Sequence, residues 1–204
     1  MKPNKTVIGI TGGIGTGKST VLRFIKKKYE ADLIVADEVG HALMEKGECV
    51  YKALVKEFGT SILKENGAID KKKLAKLTFS SDEMQEKVDR IEHPLILEEI
   101  KKCVHGAKQP IVFIEAALLQ EGKLTDLCDQ VWIVTADKKT RVERLMADRK
   151  YTEEKCEAVM NLQLSEEEYL QLGTEAIENS GDFKKTKKRI KALMKGLGAK
   201  KRKS

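Results

Sequence analysis

Gly12-Gly13-Ile14-Gly15-Thr16-Gly17-Lys18-Ser19-Thr20 decides how the rest of this chain is read. It fits a pattern of glycine, four residues, then Gly-Lys-Ser/Thr. Val7-Ile8-Gly9-Ile10 before it reads as a buried strand, and Val21-Leu22-Arg23-Phe24-Ile25 after it as a helix. Glycines let the backbone curl until successive N–H groups face one anion, an approach that Cβ atoms would block. The helix that follows turns its positive N-terminal end to the same point. Lys18 has the reach for β- and γ-phosphates, and the Ser19 hydroxyl suits Mg²⁺. Gly13, Gly15, Thr16, Gly17, Lys18, Ser19 and Thr20 are therefore the candidate nucleoside triphosphate cradle. A glycine-rich turn without function is the alternative. The eight-position pattern arises by chance in roughly one chain of this length in a hundred, and the flanking strand and helix make chance rarer still.

Outward from the loop, the 204 residues suffice for one good-sized core with subordinate lobes. The apolar runs are strand-length, too short to span a bilayer, and no secretory signal precedes the first strand. Cys49, Cys103, Cys128 and Cys156 are scattered without paired spacing, as reduced thiols of a cytoplasmic protein are. Of the net charge of +7, eleven Lys or Arg between Lys184 and Ser204 supply +11, which leaves −4 for residues 1–183. A basic tail can touch nucleic acid, but no aromatic residue lies beyond Phe183 to stack on bases. The expectation is a solvated helix end and a disordered basic tail over 197–204.

Leu33-Ile34-Val35-Ala36-Asp37 reads as a second strand with a carboxylate at its C-terminal end, where ligands sit in open α/β sheets. Residues 38–106 read as helical, with Asp70 and Asp82 as caps and Pro94 kinking or splitting the run after His93. Ile111-Val112-Phe113-Ile114, ending at Glu115 with Glu121 beyond, is a third strand. Gln130–Thr135 is a fourth, and Ala176-Ile177-Glu178 a weak fifth. Arg141, Arg144 and Arg149 lie along and after a helix over 140–147. A further helix begins at Thr152, and a basic amphipathic one runs from Phe183 to Leu193. Strands alternating with helices predict an α/β fold, a five-stranded parallel sheet flanked by helices. The insertion over 38–106 predicts a helical lobe that closes over an acceptor.

Three function classes share such a loop. A regulatory GTPase needs an Asn-Lys-x-Asp segment, which is absent. A motor or nucleic-acid ATPase needs a long apolar strand ending in an acid, which Glu115 imitates in part. A small-molecule kinase needs an acceptor lobe, a carboxylate near the acceptor hydroxyl and arginines over the phosphoryl group. The helical insertion and the Arg144–Arg149 cluster favour the kinase, with another nucleoside or nucleotide kinase, or an ATPase binding nucleic acid through its tail, as alternatives.

Thr11–Val21, Ala36-Asp37, Gly67-Ala68-Ile69-Asp70, Ile91-Glu92-His93-Pro94-Leu95-Ile96 and Leu118-Leu119 together resemble the dephospho-CoA kinase family, and Arg144-Leu145, Gln163 and Ile177-Glu178-Asn179-Ser180-Gly181 continue the resemblance. It covers about residues 7–193. It implies transfer of the ATP γ-phosphoryl group to the ribose 3′-hydroxyl of dephospho-CoA, with Mg²⁺, the last step of coenzyme A synthesis. It also implies the P-loop nucleoside triphosphate hydrolase fold of the nucleotide-kinase type. The corresponding division is a core over 1–37, 107–140 and 171–196, an acceptor lobe over 38–106 and a lid over 141–170. Carried over by position, Asp37 orients or deprotonates the hydroxyl, Lys18, Arg144 and Arg149 serve catalysis, and Asn179 lies near the adenine. His41, Lys71, His93, Glu115 and Glu121 join Asp37 as candidate acceptor contacts. A monomer is favoured, with neither membrane nor nucleic acid as partner.

The chain departs from the family pattern at several positions. Val35 stands where the family often has Asp, His41 and Lys71 where arginines are usual, and Ala117 where proline is common. Lysine keeps the charge at 71 without the bidentate fork. Gly173-Thr174 replaces an Ala-Asp pair. The usual lid arginine, four residues after Arg144, is Asp148 here, and Arg149 lies one further. One residue rotates a helical side chain by roughly 100°, so Arg149 needs another rotamer or a loosened turn.

Overall fold

The computed structural model describes residues 5–117, 119 and 121–202, with only the backbone course of Glu121 and Gly122. Five strands, β1 (Thr6–Thr11), β2 (Asp32–Val35), β3 (Ile111–Glu115), β4 (Gln130–Thr135) and β5 (Glu175–Glu178), form one sheet in the order β2-β3-β1-β4-β5. All four pairings are parallel, with Ile10 opposite Glu115 on one side and Trp132 on the other. The central strands are continuously apolar because both faces are covered, as parallel sheets require.

Period-two alternation sorts their side chains into two cores. Ile8, Ile10, Phe113, Trp132 and Val134 pack with α1 (Lys18–Lys28) and α9 (Phe183–Gly196). Val7, Val112, Ile114, Val131 and Ile133 pack on the opposite face with the C-terminal half of α5 (Asp82–Gly106). A third apolar cluster, including Leu43, Val50, Leu54, Ile62, Leu74 and Val88, lies wholly within 38–106. It is built by α2 (Ala36–Leu43), α3 (Cys49–Phe58), α4 (Lys71–Thr78) and the N-terminal half of α5. From the C-terminal edge of the sheet after β4 the chain continues as α6 (Lys138–Arg149), α7 (Glu153–Asn161) and α8 (Glu166–Leu172), with Tyr169 of α8 packed on the same face as α5. Parallel strands bring Thr11, Val35, Glu115, Thr135 and Glu178 to that one edge, where ligands bind in such sheets.

Several local expectations are corrected. Strand β2 stops at Val35, and Ala36 and Asp37 open α2, so Asp37 lies in a first helical turn. Pro94 neither splits nor ends α5, which runs on as one helix through it. The lost N–H costs one intrahelical bond, but Ile91, Leu95 and Ile96 around it pack into the lobe core and outweigh it. The cap of α5 is Ser81, whose hydroxyl accepts from Met84 N, with Asp82 inside the first turn. Over 197–202 the tail is ordered, contrary to the expected disorder. Leu197 and Ala199 pack on the core, Glu30 N donates to Lys200 O, and Arg202 N donates to Lys28 O. The stretch between α1 and β2 leaves backbone groups unpaired, and the tail satisfies them as an antiparallel neighbour at Tyr29.

Candidate active site

The loop begins where β1 ends. Gly12 has φ +141°, and a Cβ there would overlap the Val134 carbonyl oxygen of the adjacent strand. Gly17 sits at φ +88° just before α1, with Asn179 Nδ2 where a side chain would start. Both positions need glycine for space as well as for backbone angle.

Arginines of α6 fix the orientation of the loop's peptides. Arg141 Nε donates to Ile14 O at 2.8 Å. Arg144 Nη1 donates to Gly15 O at 3.3 Å and Thr16 O at 3.1 Å, while its Nη2 donates to Asn179 O at 2.6 Å. Asn179 Nδ2 adds a second bond to Thr16 O at 2.8 Å. A peptide's C=O and N–H point opposite ways, so carbonyls held outward turn N–H groups inward. That is an anion nest, built before any anion arrives. Beside it Arg141 Nη2 and Tyr169 Oη lie buried with no hydrogen-bond partner among the described residues.

The nest opens into a cavity of about 630 Å³. Lys18, Ser19, Asp37, Glu115, Arg144 and Arg149 line it, together with Asn179 and Phe183. Lys18 Nζ donates to Gly12 O at 2.6 Å. Burial lowers the Lys18 pKa, and Glu115 opposes that shift. Glu115 is in turn raised by burial and held down by Lys18. Each therefore favours the other's charged form in a site whose burial disfavours both, and the field of a bound polyanion would favour Lys18 in its charged form. Arg149 reaches the cavity from the last turn of α6, which Lys150 ends at φ +57°. Asp148 lines it too, so both residues at the end of α6 face in.

A second pocket, about 250 Å³, adjoins the first. Met44, Ile96, Leu97 and Leu124 give it apolar walls, and His41, Glu92 and His93 give it polar points. His93 Nε2 lies 3.7 Å from Asp89 Oδ1. Burial, with Asp89 adding to it, pushes Glu92 up to about 7. Asp37 and Ala117 line both spaces, so Asp37 stands at their junction.

Among the sequence-derived candidates, Gly15, Gly17, Lys18, Ser19, Thr20, Asp37, Glu115, Arg144, Arg149 and Asn179 line the first cavity, and His41 and His93 the second. Gly13 and Thr16 lie behind the loop, against Arg141 and Tyr169. Lys71 is the exposed first residue of α4 and lines neither space. Glu121 opens a 3-10 turn over Glu121–Leu127, and its side chain falls outside the described residues, as does Leu118. Arg141, Gln163, Phe183 and Glu92 were missed as site residues. The local signal for Arg141 was its spacing of three from Arg144 on one helix face. Gln163 stood out only through the family resemblance.

A parallel sheet of this order, a phosphate loop clamped by arginines and a second pocket beside it define an ATP-dependent phosphotransferase of the P-loop kinase class. The dephospho-CoA kinase family model matches residues 6–185. A dephospho-CoA kinase of Streptococcus pyogenes is 36% identical over 194 residues, covering 94% of this chain and 98% of that protein. One of Bacillus cereus is 35% identical over 193 residues, covering 93% and 96%. A solved structure from Thermus thermophilus superposes with a TM-score of 0.81 at 27% identity, over 95% of this chain and 98% of that one. The chain belongs to the dephospho-CoA kinase family.

Proposed function

We propose that this chain transfers the γ-phosphoryl group of ATP to the ribose 3′-hydroxyl of dephospho-CoA, giving coenzyme A. The observation that carries this reading is the junction at Asp37, one carboxylate shared by a phosphate-binding cavity and an adjoining pocket. ATP takes the larger space with its phosphates in the nest and its adenine toward Asn179. Dephospho-CoA takes the smaller, with its ribose at Asp37 and its apolar arm against Met44, Ile96 and Leu97.

Phosphoryl transfer asks for alignment and neutralisation more than for a strong base. Asp37 holds the hydroxyl in line and accepts its proton late, as the bond to phosphorus forms. Lys18 exchanges its contact with Gly12 O for β- and γ-phosphate oxygens. Among the described residues Arg149 makes no hydrogen bond or ion pair, which suits it to fold over the transferring group, whereas Arg144 spends its donors on the loop and on Asn179. We assign it the shaping of the nest. Ser19, Asp37 and Glu115 offer the hard oxygen donors that Mg²⁺ prefers, and they line one cavity. Bound there, Mg²⁺ would supply positive charge that offsets the charge of the phosphates. His41 and His93 read the acceptor, and Lys71 reaches it only if α4 moves. No helix among the described residues is long and apolar enough to cross a membrane, and the reading places the enzyme in the cytoplasm as a monomer.

The test is direct. Incubated with Mg-ATP, the protein should convert dephospho-CoA to coenzyme A and leave nucleoside monophosphates unchanged. Phosphorylation of a nucleoside monophosphate in preference, or ATP turnover stimulated only by RNA or DNA, would overturn the reading.

A further inference from the structure

We propose that Gln163 is a further catalytic residue, whose side-chain oxygen grips the phosphate loop while its amide nitrogen donates to an oxygen of the transferring phosphoryl group. The proposal rests on the kinase reading above. Gln163 lies between α7 and α8, and its Oε1 accepts from the Ile14 N–H at 2.7 Å. A primary amide carries its acceptor and its two donors on opposite branches of one plane. A backbone N–H only donates, so this bond fixes which branch faces the loop. Among the described residues the other branch, Nε2, makes no hydrogen bond and is not buried. Gln163 lines the same cavity as Lys18 and Arg149.

The anchor is rigid at both ends. The gripped N–H belongs to the Gly13–Ile14 peptide, whose carbonyl accepts from Thr16 Oγ1 at 2.9 Å, and the next peptide is held by Arg141 Nε on Ile14 O at 2.8 Å, so neither turns away easily. Two N–H donors are thereby set at a fixed offset from the nest. An uncharged donor also suits the place. Lys18, Arg144 and Arg149 already crowd one cavity with positive charge, and an amide adds hydrogen bonds without further repulsion. Fixed donors aimed where charge spreads in the transition state are the kind that accelerate transfer. ADP lacks the group that Gln163 would meet, so its affinity should be indifferent to this residue.

The experiment compares full-length wild type with Gln163→Ala and Gln163→Glu. It measures kcat, KM for both substrates, calorimetric affinities for ATP and ADP, and melting temperature. Gln163→Ala should lose about 10- to 100-fold in kcat, with KM for dephospho-CoA and affinity for ADP within about twofold. Gln163→Glu keeps an acceptor for Ile14 and so the wild-type melting temperature, but it replaces the donors with a charge. Its kcat should fall at least as far. Wild-type kcat in Gln163→Glu would overturn the proposal by leaving only the grip on Ile14, and so would an equal loss of ATP and ADP affinity in Gln163→Ala. If wild type makes no coenzyme A, the proposed function falls by itself. The ratio of ATP to ADP affinity in Gln163→Glu then decides on Gln163, an unchanged ratio overturning it.

Discussion

The cavity we assign to the phosphoryl donor and the pocket we assign to the acceptor touch at Asp37, yet they are built on opposite principles. The donor side is made by main-chain groups whose carbonyls are pinned by Arg141, Arg144 and Asn179, with charged side chains around them. The other side is lined mostly by side chains, gathered from four separate segments around Gly40, His93, Ala117 and Leu124. A nest of backbone N–H groups reads any polyphosphate, so its sequence requirement is a glycine spacing. A pocket of side chains reads one particular molecule, and its sequence requirement is spread over the fold. The contrast accounts for the departure of His41, in the pocket, from the family pattern while the loop keeps to it; Lys71 lines neither space.

The largest effect should come from the shared carboxylate. Asp37→Asn should lower kcat by about 10²- to 10⁴-fold and leave ATP affinity within about twofold, read by steady-state kinetics and calorimetry. Weaker ATP binding in that variant would break the separation of the two halves. Next comes Gly17→Ala, which forces a side chain into φ +88° against Asn179. It should cost about 1–3 kcal/mol of local strain and thus about 10- to 100-fold in ATP affinity, with dephospho-CoA affinity unchanged by calorimetry.

A smaller effect lies in the acceptor half. Burial holds the Glu92 carboxyl near 7, against 4.5 in the unfolded chain. Between those values the folded protein keeps a proton that the unfolded chain has released, so stability falls as pH rises through this window. Denaturant unfolding at several pH values should show a decline on the order of 1–2 kcal/mol, and Glu92→Gln should flatten it. An equal decline in the variant would place its source elsewhere. The smallest effect on turnover is expected from deleting residues 197–204. Residues 197–202 line neither cavity, and their bonds to Lys28, Tyr29 and Glu30 join them to the end of α1. A lowered melting temperature with unchanged kcat and KM is the expected outcome.

Much of the fold was legible because the strands are continuous apolar runs and their number, order in the chain and parallel sense follow from alternation with helices. The donor loop was legible because its chemistry is local. Arg141 and Gln163 were not, since their partners are the carbonyl and the N–H of one residue, Ile14, 127 and 149 residues away in the chain. Charge and amide content say nothing about a carbonyl that far off. Pro94 misled because the rule for an isolated helix ignores the apolar contacts on either side of it. The tail misled because its lysines are soluble, while the order comes from backbone groups that no composition reveals.

One consequence follows from the unbroken run of α5. At 25 residues and about 1.5 Å each it is a beam roughly 37 Å long. Val88 is bolted into the lobe's core, and Ile100 and Val104 into the sheet's. A helix seated in both cores resists motion of one against the other, so we propose that closure on the substrates comes from α7 and α8 rather than from the lobe. Fluorophores placed on α3 and α9 should keep their separation when both substrates bind, while a pair on α3 and α7 should draw together.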